Sequence, residues 1–416
     1  MRTCIHRGAN QIGGSCIEVE AQGKRLLLDL GLPLDAEKNH VGLLPPVPGL
    51  LEPSDSLLGV IVSHPHMDHY GLLGHVRPEL PVTMGAAGRR ILEAAAPWMR
   101  RGSRMVPNPG KELRDLAPLE WGPFRITPYL VDHSAFDSYA LLIEADGRRL
   151  FYSGDFRAHG RTPWRFQRLV DHPPKGVHKL LMEGSSLGRL GMDEQFQTEA
   201  ELEEEMVKAI EGTEGFALVS ASAQNIDRIV TLVRMAKKSR RTLVIDLYTA
   251  AVLEATKHTK IPQSHWKGVA LYTPDYQAQQ ITNNHWTKLL ARHKKHQIFQ
   301  HELAAKAPKS VLLMRYAHQQ DLVAADALKG AKLFYSMWAG YLKKDSGIAL
   351  QEWADTNGVP LQLLHTSGHA SPADLKRFVT AMNPEALVPV HTFQPERYAE
   401  LFPRVEMHGD GEWWEV

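Results

Sequence analysis

Apolar and polar positions along this chain follow two rhythms. Over the first 190 residues, apolar runs of strand length recur between turn-forming residues. TCIHRG, GSCIEVEA and KRLLLDLG read as strands separated by NQIGG and AQGK, and LLGVIVSH reads as a fourth. The segment YGLLGHVRPEL reads as a short helix and AGRRILEAAAPWMRR as a longer one. FRITPYLVDHS, SYALLIEADG and RRLFYSGDFR are then three strands, and VHKLLMEGSS one more. Strands with interleaved helices predict α/β packing on a sheet core.

Near Gly191 the texture changes. TEAELEEEMVKAIEG predicts an amphipathic helix whose acidic first half suits the helix dipole. FALVSAS, NIDRIVTLVRMAKKS and RTLVIDLYTA form a strand–helix–strand unit. The stretch 255–305 is rich in Lys, His and Gln and gives no clear pattern. KSVLLMRYA, QDLVAADAL, KLFYSMW and SGIALQEWADTNG resume the α/β alternation. The chain closes with the strand LQLLHTSG, the helix PADLKRFVTAMN, the strand ALVPVHTF and the segment VEMHGDGEWWEV. No repeat or low-complexity tract interrupts it.

Composition narrows the function classes. The chain has 416 residues, 43% hydrophobic and 23% charged, as ordinary globular proteins do. That length allows two to three domains, or one with a large insertion. The net charge of +1 provides no global attraction for nucleic acid, so a polyanion must be held by a local patch. Two cysteines, Cys4 and Cys16, exclude a disulfide framework or a cysteine zinc cluster; both are expected reduced and buried on neighbouring strands. No leader-like apolar segment or membrane span is evident, so a cytoplasmic location and no membrane partner are expected. The 21 histidines are the one compositional pointer to metal chemistry.

That pointer resolves at SHPHMDHYGLLG, Ser63–Gly74. His64, His66 and Asp68 recur every second residue, which in extended chain puts them on one side. His69 points elsewhere and could serve a second ion. Imidazole with carboxylate suits zinc or a similar first-row ion. Six residues cannot surround two ions, so further ligands must come from other strand ends. His133 ends YLVDHS, Asp155 ends FYSGDFR, and His391 ends ALVPVHTF. Singly, a histidine after a strand is more often a packing or capping residue. Asp29, in LLLDLG, is placed to orient ligands rather than to bind metal.

HPHMDH, VDHS and SGDFR, with GGSCIEVE and LLLDLG, resemble the metallo-β-lactamase superfamily. Within it, EGSS at 183–186, HTSGHAS at 365–371 and PVH at 389–391 resemble the three motifs of the β-CASP nucleases. ASAQNIDRI and FYSMWAGYL resemble segments of the ribonuclease J group. The likeness spans nearly the whole chain in the right order. It implies an αββα sandwich with an inserted α/β β-CASP domain and a substrate cleft between the two. The expected boundaries are 1–190 and 359–416 for the sandwich and 191–358 for the insertion.

The resemblance also implies roles. His64, His66 and His133 would hold one metal; Asp68, His69 and His391 the second; Asp155 would bridge both. Two such cations can lower the pKa of a water toward neutrality and clamp the oxygens of a phosphodiester. Asp68 would orient that water and handle its proton. His369 would bind the scissile phosphate or assist the leaving oxygen, and Glu183 would hold His369 or its strand. Phosphate donors are sought where strands meet helices: Ser220, Ser222, Asn225 and Arg228, with Ser367, Gly368 and Ser371 flanking His369. Helix capping would place several of the same residues there. The basic runs 234–241 and 288–296 could track a nucleic-acid backbone, although most charge runs are solvated helix faces. The Pro/Gly-rich basic loop Gly102–Lys111 could overhang a cleft.

The expected activity is a two-metal phosphodiesterase, with two zinc ions or alternatively manganese, acting on single-stranded RNA as exo- or endonuclease. His391 favours RNA, since DNA-processing relatives often carry an apolar residue there. A DNA nuclease of the same fold is the alternative. A small-molecule hydrolase would need neither the insertion nor His369, and a non-catalytic scaffold would be expected to have lost ligands. EGSSLGR departs from the commoner acidic-Ser-Thr form. The sequence ends soon after His391, which is expected to leave out the extra C-terminal domain of many ribonuclease J proteins, and no oligomeric state is inferred.

Overall fold

Strict alternation in the strand Tyr139–Ala145 sets the layering of the first half of the protein. Tyr139, Leu141, Ile143 and Ala145 face one core, whereas Ala140 and Leu142 face another. The computed structural model, which describes residues 1–99, 108–191 and 193–416, shows why a strand needs two apolar faces. It belongs to a six-stranded sheet ordered Ala386–Val390, Lys179–Glu183, Arg148–Tyr152, Tyr139–Ala145, Phe124–Leu130 and Leu119–Trp121. A seven-stranded sheet accompanies it, ordered Trp413–Glu415, Arg2–Arg7, Cys16–Ala21, Lys24–Leu28, Leu57–Ile61, Val82–Gly85 and Pro109–Leu113.

The inner faces of these sheets share one core, in which Ile17, Leu26, Leu28 and Ile61 meet Ile126, Leu141, Leu150 and Leu181. The outer face of the seven-stranded sheet packs Leu27, Val60 and Val62 against Leu92 of the helix Ala86–Ala95 and against Leu72 and Leu73 of the preceding loop. The outer face of the other sheet packs Leu142, Phe151 and Leu180 against Phe166, Leu375 and Phe378 of two helices, Pro163–Asp171 and Pro372–Met382. The result is an α/β fold of four layers, helix–sheet–sheet–helix. Cys4 and Cys16 are buried, free, and on adjacent strands of the seven-stranded sheet.

The chain forms two compact units, Met1–Phe196 with Gly368–Val416, and Gln197–Ser367. These changeovers fall at 197 and 368, beside the 191 and 359 read from the sequence. The later one moves because Leu361–Leu363 pairs in parallel with Lys332–Tyr335 of the second unit. The second unit is an all-parallel sheet of seven strands ordered Gln297–Ile298, Val269–Tyr272, Thr242–Ile245, Ser310–Leu313, Ala217–Ser220, Lys332–Tyr335 and Leu361–Leu363. The illegible stretch 255–305 holds two of its strands and the helices Asp275–Asn283 and Thr287–His293. Those elements are short, and short elements carry little periodic signal.

One helical expectation is corrected. YGLLGHVRPEL does not form a helix; the helical turn is Met67–Tyr70, followed by a 3-10 turn at Leu73–His75. Pro78 prevents continuation, and Leu72, Leu73, Val76 and Leu80 are buried as an apolar loop instead. Three strands, Val82–Gly85, Pro109–Leu113 and Leu119–Trp121, have no counterpart in the sequence reading. Among the described residues no helix is long and apolar enough to cross a membrane.

The second unit is organised around a buried ion pair. Arg228 and Glu199 are fully buried and 3.0 Å apart. They join the helices Ile226–Lys238 and Glu199–Ile210, the latter opened by a capping box from Thr198 and Glu201. Arg228 also donates to the carbonyl and hydroxyl of Ser336, and Glu199 accepts from the Thr231 hydroxyl at 2.7 Å. Removing one partner strands the other charge in the core. Arg228→Ala is therefore expected to destabilise the protein by about 3–5 kcal/mol, while a paired apolar replacement of both residues is roughly neutral. Denaturant unfolding of the single and double variants checks this; a cost below about 1 kcal/mol for the single change would contradict the assignment.

Candidate metal centre

Both sheets of the first unit end their strands in metal-ligating side chains. Leu57–Ile61 runs into His64 and His66, and the turn Met67–Tyr70 carries Asp68 and His69. His133 follows Phe124–Leu130, Asp155 follows Arg148–Tyr152, and His391 follows Ala386–Val390. All the sequence-selected ligands thus converge. His64, His66 and His133 form one cluster and Asp68, His69, Asp155 and His391 a second, the donor atoms within each lying within 4.8 Å of one another.

The close approach of the backbone explains part of this placement. A Cβ on Gly31 would lie 1.7 Å from the carbonyl oxygen of Asp68, so LLLDLG needs its glycine for the ligand turn to seat. Leu30 and Leu32 then bond through their amides to the carbonyls of His69 and Met67. Asp29 and His391 have left-handed backbones, φ +63° and +52°, which non-glycine residues rarely adopt. Such conformations concentrate where a side chain must be aimed against the chain's preference.

The imidazoles are oriented from behind. Asp29 is fully buried, and its oxygens accept from the Ser63 amide (2.7 Å), the Ser63 hydroxyl (2.8 Å), the Tyr152 hydroxyl (2.6 Å) and His69 Nδ1 (2.8 Å). Ser63 Oγ in turn lies 3.0 Å from His64 Nδ1, and Ser15 Oγ lies 2.9 Å from His391 Nδ1. Asp29, and the Ser63 hydroxyl that donates to it, place the proton on Nδ1 of His69 and His64 and turn their Nε2 atoms inward; at His391 the Gly13 amide also approaches Nδ1, at 3.4 Å. Sequence reasoning found Asp29 but missed Ser15, Ser63 and Tyr152. Ser63 could have been suspected from its place at a strand end beside His64.

The inward atoms are chemically incomplete. His64 Nε2, His69 Nε2, His391 Nε2 and both oxygens of Asp155 are buried with no hydrogen-bond partner. Asp155 Oδ2 lies 3.7 Å from His64 Nε2, 3.2 Å from His69 Nε2 and 3.5 Å from His391 Nε2. His133 Nε2 and His66 Nδ1 face each other at 3.2 Å. Two ligands bonded tetrahedrally to one zinc at its usual Zn–N distance sit about 3.4 Å apart, so these spacings fit a shared cation. Buried polar atoms left unpaired are costly, and divalent cations satisfy this set. The residues fit a divalent-metal centre.

Electrostatics agree. Burial pushes His64 and His133 well below the ordinary histidine range, helped by neighbouring imidazoles, and brings His66 down to about 4. Neutral imidazole is the ligating form. Burial opposes charge on Asp155, but His391, His69 and His369 outweigh it and hold the carboxyl well below its usual range. Burial also opposes charge on His69, yet Asp155, Asp29 and Asp68 raise it well above normal.

His369 stands beside this centre, in the loop before the helix Pro372–Met382. Its Nδ1 is 3.0 Å from Glu183 Oε2 and 3.6 Å from Asp155 Oδ2. Glu183 ends the strand Lys179–Glu183 and also accepts from the Phe156 amide (3.0 Å) and the Ser185 hydroxyl (2.8 Å). Burial lowers the His369 pKa, but the Glu183 and Asp155 carboxylates prevail and raise it to about 9. Asp155, Glu183 and His369 form a third donor cluster. A Cβ on Gly368 would lie 2.5 Å from Ser134 Oγ and 3.5 Å from the His133 ring, so this loop lies close against the His133 loop.

The proposed phosphate contacts fare differently. Ser371 caps Pro372–Met382 through the Asp374 amide, and Asn225 caps Ile226–Lys238 through the Arg228 amide. Arg228 is committed to its buried ion pair. Ser220 and Ser367 are buried, and Ser222 is exposed, its hydroxyl accepting from the Gln224 amide. In the basic run 234–241, Arg234 and Lys238 pair with Glu203, and Arg241 bonds the carbonyls of Gly215 and Ser310. In the run 288–296, Arg292 pairs with Glu254 at 3.0 Å. Of the loop 102–111, residues 102–107 lie outside the described residues.

Comparison with known proteins adds an independent line. Residues 25–211 match the β-lactamase superfamily domain, and residues 361–401 match the Zn-dependent metallo-hydrolase RNA specificity domain. Ribonuclease J of Helicobacter pylori strain B128 is 23% identical over 406 residues, which cover 92% of this chain and 55% of that protein. Ribonuclease J of Synechocystis sp. strain PCC 6803 is 23% identical over 412 residues, covering 92% and 59%. The chain thus spans little more than half the length of the curated relatives it matches. A crystal structure of a protein of unknown function from Enterococcus faecalis V583 has the same fold over 99% of both chains, with a TM-score of 0.79 at 19% identity.

Asp29 supports two of the imidazoles, directly at His69 and through Ser63 at His64. Asp29→Asn is expected to weaken metal affinity about 10- to 100-fold. Competition with a fluorescent chelator measures it, and unchanged affinity would show that the Asp29 bonds do not tune the centre.

Proposed function

We propose, from the match of residues 25–211 to the β-lactamase superfamily domain, that the chain is a metallo-β-lactamase-fold, two-metal phosphodiesterase that hydrolyses single-stranded RNA in the manner of ribonuclease J. The observation that carries this reading is the joint presence, on one sandwich edge, of two ligand clusters, with Asp155 of the second 3.7 Å from His64 of the first, and of His369 held beside Asp155 by Glu183. When bound, divalent cations supply Lewis acidity toward phosphate oxygens and lower the pKa of an attacking water. Zinc suits the imidazole-rich first cluster, and manganese suits the more carboxylate-rich second one.

This chain's own residues do the rest. Asp68 is the more exposed carboxylate of the second cluster, with 19% of its side chain accessible against 2% for Asp155. It can therefore both orient a water and pass a proton outward. His369, 22% accessible, is aimed through Nδ1 by Glu183 and is the group to meet a phosphate oxygen or the leaving oxygen. Glu183 acts through His369 and is a positioning residue. Ser222, Ser367 and Gly368 are the remaining candidates for phosphate contact. The free, buried cysteines are compatible with a cytoplasmic setting.

RNA is favoured over DNA by two supports. The matched relatives are named ribonucleases, and residues 361–401, which contain His369 and His391, match a domain described by RNA specificity. A small-molecule hydrolase has no use for His369 or for the second unit.

The deciding experiment sets 5′-phosphorylated single-stranded RNA and DNA of one sequence side by side. The native protein is expected to hydrolyse RNA. Asp68→Ala and His369→Ala are each expected to lower the rate about 10²- to 10⁴-fold. Cleavage of DNA alone would overturn the substrate assignment, and full activity in Asp68→Ala would overturn the centre.

A further inference from the structure

The second unit displays its aromatic side chains unevenly. Among its described residues five aromatic side chains are exposed: Tyr276 (57%), Phe299 (53%), Tyr316 (81%), Trp338 (39%) and Tyr341 (43%). All five lie in segments that directly follow the C-terminal ends of the parallel strands. Phe299 follows Gln297–Ile298, Tyr276 follows Val269–Tyr272, Tyr316 follows Ser310–Leu313, and Trp338 and Tyr341 follow Lys332–Tyr335. Half-buried Tyr248 follows Thr242–Ile245 in the same way. In sheet order the row reads Phe299, Tyr276, Tyr248, Tyr316, then Ser222 after Ala217–Ser220, then Trp338. Packing does not explain so many exposed rings at one edge.

The middle of the row is held in place by an ion pair. The Arg315 guanidinium lies 4.5 Å from the centre of the Tyr248 ring. Its Nε is 3.0 Å from Asp246 Oδ2, a fully buried carboxylate, and its Nη2 is 3.4 Å from the Thr249 hydroxyl. The Tyr248 hydroxyl accepts from Gln224 at 3.0 Å, and Trp338 meets Tyr341 edge-on at 5.3 Å. The helices Ile226–Lys238 and Leu247–Ala255 begin at the same edge, capped by Asn225 and Asp246. Strands about 4.8 Å apart spread a six-strand row over roughly 24 Å. The C-terminal edge of a parallel sheet is also where such folds bind ligands.

We propose that this row of aromatic side chains, with Tyr248 braced by Arg315, is a base-stacking track for single-stranded RNA. Rings take bases of any identity, so the track grips the strand without reading its sequence. The assignment rests on the reading of the chain as an RNA hydrolase, and names where that substrate is held.

The test uses the full chain carrying Asp68→Asn, so that bound strand is not cut. Its affinity for a fluorescent twelve-nucleotide RNA is compared with that for an abasic strand of equal length. Tyr316→Ala and Trp338→Ala alter exposed side chains, and thermal melting checks that each variant is folded. Each is expected to weaken binding of the base-bearing strand about 5- to 150-fold, the equivalent of one stacked base. The abasic strand is expected to bind parent and variants alike. Unchanged affinity for the base-bearing strand in folded variants overturns the track, as does an equal loss on the abasic strand or no binding by the parent. Failure of the hydrolase reading is separate: the native chain would then bind RNA through these rings without cutting it.

Discussion

The site of the first unit is arranged around one buried carboxylate. Asp155 is buried, neither of its oxygens has a hydrogen-bond donor, and three imidazole Nε2 atoms stand 3.2–3.7 Å from one of them. A carboxylate removed from water without donors is costly, several kcal/mol even after relaxation. Imidazolium protons offset part of that cost, and divalent cations offset it more fully while satisfying the lone pairs of the same rings. The chemistry of the site follows from this electrostatic demand.

The fold meets the demand by bringing strand ends from two sheets to one edge. Ligands then arrive from separate strands, each fixed by its ladder, and a row of Asp29, Ser63, Ser15 and Glu183 fixes the ring orientations behind them. Rings so held lose little freedom on binding metal or substrate, which is the benefit of a pre-formed centre. Gly31 and Gly368 allow the close approaches, and the left-handed backbones of Asp29 and His391 complete the aim. The second unit is built on the opposite principle, a parallel sheet whose connections leave one edge rich in polar caps and exposed rings.

Much of the centre could be read from the sequence, because its residues lie in short motifs after apolar runs. HPHMDH is informative by itself, and His133, Asp155 and His391 became persuasive as a set. α/β packing on a sheet core was legible through the strand and helix rhythm, and the four-layer sandwich through family likeness. What resisted reading had physical reasons. Ser15 and Tyr152 act across strands, and no local pattern announces a partner more than a hundred residues away, as for Tyr152 and Asp29. Arg228 and Asn225 lie where a phosphate contact and a structural bond use the same residue types, and only burial separates them. YGLLGHVRPEL has the apolar content of a helix but contains Pro78 and packs as a loop.

The central claim is that Asp155 joins two cation sites, and elemental analysis of the purified chain tests it most directly. The account predicts about two divalent metals per chain, falling to one or fewer in Asp155→Ala with the fold retained. A native chain that holds no metal, or an Asp155→Ala variant that still holds two, would contradict it.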